Sequence, residues 1–150
     1  MRDRIIYFID YGTSKEEIIE MGWALRKFNY IIVPVQPELL IHQLKKSGNR
    51  CPILSIIQSR AQLSLYLKFK RRFLFQAVRN MNLLHIEFTS FFEVVDRSDL
   101  RSRDKSHQYS LPIELSDLCS IVNENCASFY ETSKKWPGGV RVKIPSQGKI

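Results

Sequence analysis

Short apolar runs alternate along this chain with stretches in which apolar residues recur every three or four positions, the pattern of strands alternating with amphipathic helices. The first run, IIYFI at 5–9, is apolar at every position, as a strand covered on both faces requires, and Asp10 closes it. Ser14-Lys15-Glu16-Glu17 then has the spacing of a helix-capping box, and Ile18, Met21, Leu25 and Phe28 follow as the stripe of a helix lying on a sheet. YIIVPV at 30–35 predicts a second strand, and its Pro34, which removes a ladder donor, places that strand at the sheet's edge. Pro37 opens a short helix carrying Leu40 and Leu44, stopped at Ser47-Gly48-Asn49.

CPILSII, from Cys51, predicts the third strand, which stops abruptly at Gln58, Ser59 and Arg60. A long helix is expected from Leu63 to Met81, and LLHIEF at 83–88 predicts a fourth strand finishing at Thr89 and Ser90. Residues 93–108 are nearly all polar. A short piece ending Tyr109-Ser110-Leu111-Pro112 makes the fifth strand region, and a last helix from Ser116 carries Leu118, Ile121, Val122, Asn125 and Phe129. Five βα units with short connections and right-handed crossovers predict an α/β fold, a parallel sheet sandwiched between helices. These units occupy 1–132. The remainder, 133–150, holds Pro137-Gly138-Gly139 and reads as a basic linker or tail leading toward a further, output domain.

Composition narrows the classes. The chain has 150 residues, 44% hydrophobic and 25% charged, ordinary for one globular domain. No run approaches eighteen apolar residues and the N-terminus has no signal-peptide pattern, so a cytoplasmic protein without membrane insertion is expected. Cys51, Cys119 and Cys126 lack the pairing or spacing of a disulfide framework or zinc site, and His42, His85 and His107 are scattered over different elements. The expectation is no cofactor, no metal and no catalytic residue. The excess of 23 Lys and Arg over 15 Asp and Glu, a charge of +8, favours an acidic partner.

The stretches FIDYG, PILSIIQ, EFTS and YSLP, at matching separations, resemble the receiver domain of two-component response regulators, a fold whose strand order is 2-1-3-4-5. The resemblance covers residues 4 to about 132 and implies a flavodoxin-like three-layer sandwich with a five-stranded parallel sheet. In that family an acidic pair after the first strand holds Mg²⁺, an aspartate ending the third strand accepts phosphate, a Thr or Ser ends the fourth, and a Lys-Pro pair ends the fifth. Carried onto this chain, Asp10 keeps one acid, Tyr11 stands for the other, and Gln58 occupies the acceptor position. Thr89 matches the switch hydroxyl and Leu111 replaces the lysine before Pro112. A glutamine amide is neither anionic nor nucleophilic enough to form an acyl phosphate. The resemblance therefore implies a pseudo-receiver, a non-enzymatic signalling module of the two-component type acting through protein–protein interaction.

Its expected partner is another signalling protein or a second copy of itself, met through Arg71, Arg72, Phe129 and Tyr130, on the basic third helix and the last helix. The alternative is a nucleic-acid-binding regulator using that helix and the loop at 97–105, with Arg97, Arg101, Arg103 and Lys105. A third reading keeps phosphoryl acceptance at an atypical residue, Ser59 or Asp10.

Overall fold

Every strand before the fifth is a run in which alternate side chains serve two different cores. In a computed structural model, which describes residues 4–46, 51–70, 84–91 and 106–135, β1 (Arg4–Ile9) sends Ile6 and Phe8 to one face and Tyr7 and Ile9 to the other. Such period-two burial on both faces is what an all-apolar run requires. The sheet continues through β2 (Tyr30–Val35), β3 (Ile53–Ile57), β4 (His85–Thr89) and β5 (Ser106–Ser110). All pairs are parallel and the order is β2-β1-β3-β4-β5, the expected flavodoxin-like arrangement. β2 is an edge strand, as Pro34 demanded.

Helices α1 (Lys15–Arg26) and α4 (Leu115–Lys135) cover one face, with Met21, Leu25, Leu118, Val122 and Cys126 packed against Phe8, Leu54, Ile86 and Phe88. The other face takes α2 (Leu40–Lys46), entered through a 3-10 turn at Pro37–Leu39, and α3 (Arg60–Phe69), whose Leu40, Leu44, Tyr66 and Phe69 meet Tyr7, Ile9, Ile53 and Ile57. The Ser14 cap forms: its Oγ accepts from Glu17 N at 3.2 Å, while its hydroxyl donates to Glu17 Oε1 at 3.1 Å.

Four local expectations change. α3 starts at Arg60, three residues before Leu63, because Ser59 caps it with a full capping box to Gln62; the S-x-x-Q signal was present in Ser59-Arg60-Ala61-Gln62. Phe28 lies past the end of α1 and is 36% exposed, so the buried stripe ends at Leu25. β5 begins at Ser106, inside the polar stretch at 93–108, because an edge strand buries less and tolerates SHQYS. α4 continues to Lys135, past 132.

Candidate functional site

The parallel sheet gathers the carboxyl ends of its central strands at one edge, where ligands of open α/β sheets bind. Asp10 follows β1, Gln58 follows β3, Thr89 ends β4 and Leu111 follows β5, and β1, β3, β4 and β5 are successive neighbours. Backbone bonds extend this edge: Ser90 N donates to Ile57 O and Leu111 N to Thr89 O, each at 2.9 Å. The structure thus brings together four of the five positions expected to form the crevice.

The local chemistry of each is already engaged. Asp10 Oδ1 accepts from Gly12 N at 2.9 Å and Thr13 N at 3.0 Å, so this carboxylate organises the turn into α1, where Gly12 takes a φ of +90° open to glycine. Gln58 is exposed, and its backbone N–H donates to Gln62 Oε1 at 2.7 Å. Thr89 is fully buried, its Oγ1 accepting from Phe91 N at 2.9 Å. Ser59 accepts from Gln62 N at 3.2 Å as the α3 cap. Leu111 lines a cavity with Gln58.

Tyr11 is the fifth position, and its side chain leaves the crevice. It is buried among the α2–α3 core, edge-on to Tyr66 at 5.8 Å and to Phe69 at 6.2 Å between centroids. Its hydroxyl has no hydrogen-bond partner among the described residues. A tyrosine one residue past Asp10, at the start of the turn into α1, gave no sequence sign of that inward placement. The residues present do not fit a phosphoryl–Mg²⁺ centre: one carboxylate, bound by two backbone N–H groups, with an aromatic ring turned away and an aliphatic side chain at 111. Among the described residues no three His, Cys, Asp or Glu side chains cluster as metal ligands do.

Two residues back along β4 lies a polar cluster that the sequence reading missed. His85 and Glu87 share the α3 face of β4, and the i, i+2 spacing of H-x-E on a strand was the available signal. His85 Nδ1 stands 3.4 Å from Glu87 Oε2, and His85 Nε2 pairs with Ser55 Oγ of β3 at 2.9 Å. Tyr66 donates its hydroxyl to Glu87 Oε2, and Gln108 of β5 donates to Oε1 at 2.8 Å. Lys70 Nζ donates to Tyr66 Oη at 3.0 Å. An acceptor-only carboxylate beside Nδ1 places the imidazole proton there, leaving Nε2 to accept from Ser55.

Ser55, His85 and Glu87 therefore stand in the order of a hydrolytic triad. All three are at most 1% exposed, so no substrate reaches the serine, and the cluster works as a satisfied buried network. Lys70, the residue that follows α3, also belongs to it. That residue is 7% exposed, drawn inward because Tyr66 links it to the Glu87 carboxylate.

Of the expected contact residues, Arg71 and Arg72 lie outside the described residues, as do Arg97, Arg101, Arg103 and Lys105. Phe129 and Tyr130 are described and half-buried. Both pack against the α1–α4 core; Tyr130 donates to Ile5 O at 2.6 Å, and the Arg4 guanidinium lies 5.3 Å from its ring centre. An exposed aromatic stands elsewhere. Trp23 on α1 is 76% exposed and Ile19, one turn earlier, 52%. Trp23 sits two residues from both Met21 and Leu25, which places it opposite the buried stripe.

Several buried acids must stay neutral in the fold. Burial pushes the Tyr11 phenol well up, with Glu87 reinforcing, and burial likewise raises Tyr30 and Tyr130. Burial pushes the Cys126 thiol up to about 12, with Arg4 opposing. Each folded value exceeds the unfolded one, so their stabilisation is complete below the ordinary thiol and phenol values, about 8.5 and 10, and declines as pH rises beyond them. Urea unfolding at stepped pH is expected to show a midpoint falling from about pH 9 upward, with phenolate absorbance appearing together with loss of helical circular dichroism. Phenolate absorbance appearing fully in the folded protein at ordinary phenol pH would contradict this.

No protein-family model and no curated protein matches the sequence. Solved structures do match the fold. A structure described as a transiently phosphorylated "switch" in bacterial signal transduction superposes over 87% of this chain and 99% of its own, with a TM-score of 0.56 and 13% identity. A CheY-like receiver domain protein from Methanospirillum hungatei JF-1 superposes over 88% and 99%, with a TM-score of 0.53 and 11% identity. A lysine decarboxylase from Francisella novicida matches 97% of this chain with 21% of its own, at a TM-score of 0.55 and 9% identity. The chain has the response-regulator receiver fold, and at these identities the likeness is one of fold.

Proposed function

We propose that this chain is a receiver-fold signalling module that does not accept phosphate and acts by binding another protein or a second copy of itself. The observation that supports this reading most is Gln58 at the end of β3, an exposed amide where the resemblance implies an acceptor carboxylate. Asp10 has both described hydrogen bonds directed to backbone, and the side chains at 11 and 111 are a buried ring and a leucine. Without a phosphate there is no large charge change to bias a two-state element, so a response must come from binding. Action in the cytoplasm belongs to the same proposal; among the described residues no helix is long and apolar enough to cross a membrane.

Incubation with acetyl phosphate and Mg²⁺ is expected to leave the intact mass unchanged, and Gln58→Asp alone is expected not to restore a phosphate adduct, because positions 11 and 111 still supply neither acid nor ammonium. A stoichiometric adduct on the wild-type chain would overturn the reading, whether it formed on Ser59, Asp10 or elsewhere.

The surface best placed to dock a protein is the exposed turn of α1. Tryptophan is a frequent anchor at interface centres, where truncation costs 2 kcal/mol or more, about 30-fold in affinity. Trp23→Ala is accordingly expected to weaken self-association or partner binding about 30-fold, read by sedimentation, while leaving the thermal midpoint within a few degrees. Association unaffected by that change would move the contact to Arg71, Arg72 or another face. The net charge of +8 favours the second reading, nucleic-acid binding, whose mark is affinity that falls steeply with salt.

A further inference from the structure

Beside the crevice, on the α1–α4 face of the sheet, a cavity of about 170 Å³ opens between β1, β3, α1 and the chain leading into α4. Its floor is apolar: Phe8, Ile56, Leu111, Ile113 and Leu118 line it, with Met21 of α1 beside them. The exposed residues of its lining are Glu17, Glu20, and Gln58, which mark its mouth. Thr13 also lines it, and the Thr13 Oγ1 atom is buried with no hydrogen-bond partner among the described residues.

We propose that this cavity binds a small aryl-alkyl amine: one aromatic ring or branched alkyl body in the apolar floor, with a cationic head at the mouth. Size sets the body, because a dry apolar cavity of about 150 Å³ accommodates benzene. Charge sets the head. The chain carries +8 overall, yet the charged residues among the described lining are two carboxylates, Glu17 and Glu20, three residues apart on one helix face. A carboxylate or phosphate ligand would meet like charge there. Glu17 keeps acceptor capacity beyond the bond it takes from Ser14, and Thr13 Oγ1 offers unused hydrogen-bonding capacity at the wall. A few polar groups converging over an apolar floor are the usual composition of a ligand site. The proposal goes beyond the signalling reading and does not depend on the phosphorylation chemistry of Gln58.

The test titrates the full chain with phenethylamine to about tenfold over the midpoint, followed by two-dimensional amide NMR, with phenylacetate as the charge-reversed control. Saturable shifts are expected at Thr13, Met21, Ile56, Leu111 and Ile113, with phenylacetate binding at least tenfold more weakly. The double variant Glu17→Gln/Glu20→Gln is expected to lose about three- to fivefold in affinity, the size of exposed ion pairs. Ile113→Trp, which fills the floor, is expected to abolish binding while keeping the helical circular dichroism; Leu115→Trp serves the same purpose if that variant does not fold. Non-saturating shifts, equal binding of phenylacetate, or unchanged binding in the filled variant would each overturn the site.

Discussion

Replacing Glu87 with alanine is expected to destabilise the fold by about 3–5 kcal/mol, measured by urea unfolding, because it removes the acceptor of a buried charged network. Glu87 is 0% exposed and receives Tyr66 and Gln108, with His85 Nδ1 3.4 Å away and Lys70 joined through Tyr66. Tyr66 and His85, at most 1% exposed, each lose a protein partner in the variant where water does not replace it. Domains of this size are stable by only about 5–15 kcal/mol, so the change is a large fraction of the whole. Glu87→Gln, which keeps an acceptor oxygen and loses the charge, is expected to fall between wild type and alanine. The combined change Glu87→Leu, His85→Val, Lys70→Met, Tyr66→Phe and Ser55→Ala removes the buried polar groups together and is expected to recover most of the loss, since a buried ion network is often matched by apolar residues of similar volume. A loss under about 1 kcal/mol for Glu87→Ala would show that the cluster reaches water.

Phe8→Ala is expected to cost about 3–5 kcal/mol, the usual range for a core phenylalanine. The ring is fully buried in central strand β1, packed in the core with Met21, Leu25, Leu54 and Phe88. Its neighbours on both sides, Pro34 of β2 and Leu54 of β3, are held in register by the sheet, so the void cannot close by moving the strand. Phe8 is also a wall of the 170 Å³ cavity, and the new space joins it rather than collapsing. The same unfolding measurement decides this, and a loss below about 2 kcal/mol would mean that α1 and α4 settle inward.

Much of the fold was legible because strand and helix periods are local properties. The all-apolar run at 5–9, the Ser14 cap, Pro34 on an edge strand and the stripe of Met21 and Leu25 each follow from a few neighbouring residues, and alternating elements with short links leave few topologies open. The strand-end positions Asp10, Gln58, Thr89 and Leu111 were legible through the resemblance to receiver domains, whose strand order brings these ends together. The start of α3 was also written locally, in Ser59 and Gln62.

Tertiary structure alone decided the rest, because burial depends on what lies across the sheet. Lys70 on a basic-looking helix is solvated or buried according to whether a carboxylate lies opposite, and Glu87 is seventeen positions away on β4. Tyr11 could have faced the crevice; the aromatic surfaces of Tyr66 and Phe69 drew it into the core. Tyr130 meets Ile5 O and Arg4, more than a hundred residues earlier in the chain, a pairing no local pattern on its helix encodes. Sequence alone thus determined the elements, their order along the chain and the neutral amide at the end of β3. Which polar side chains share a dry interior, and which apolar ones are left in water, rested on contacts that no local period encodes.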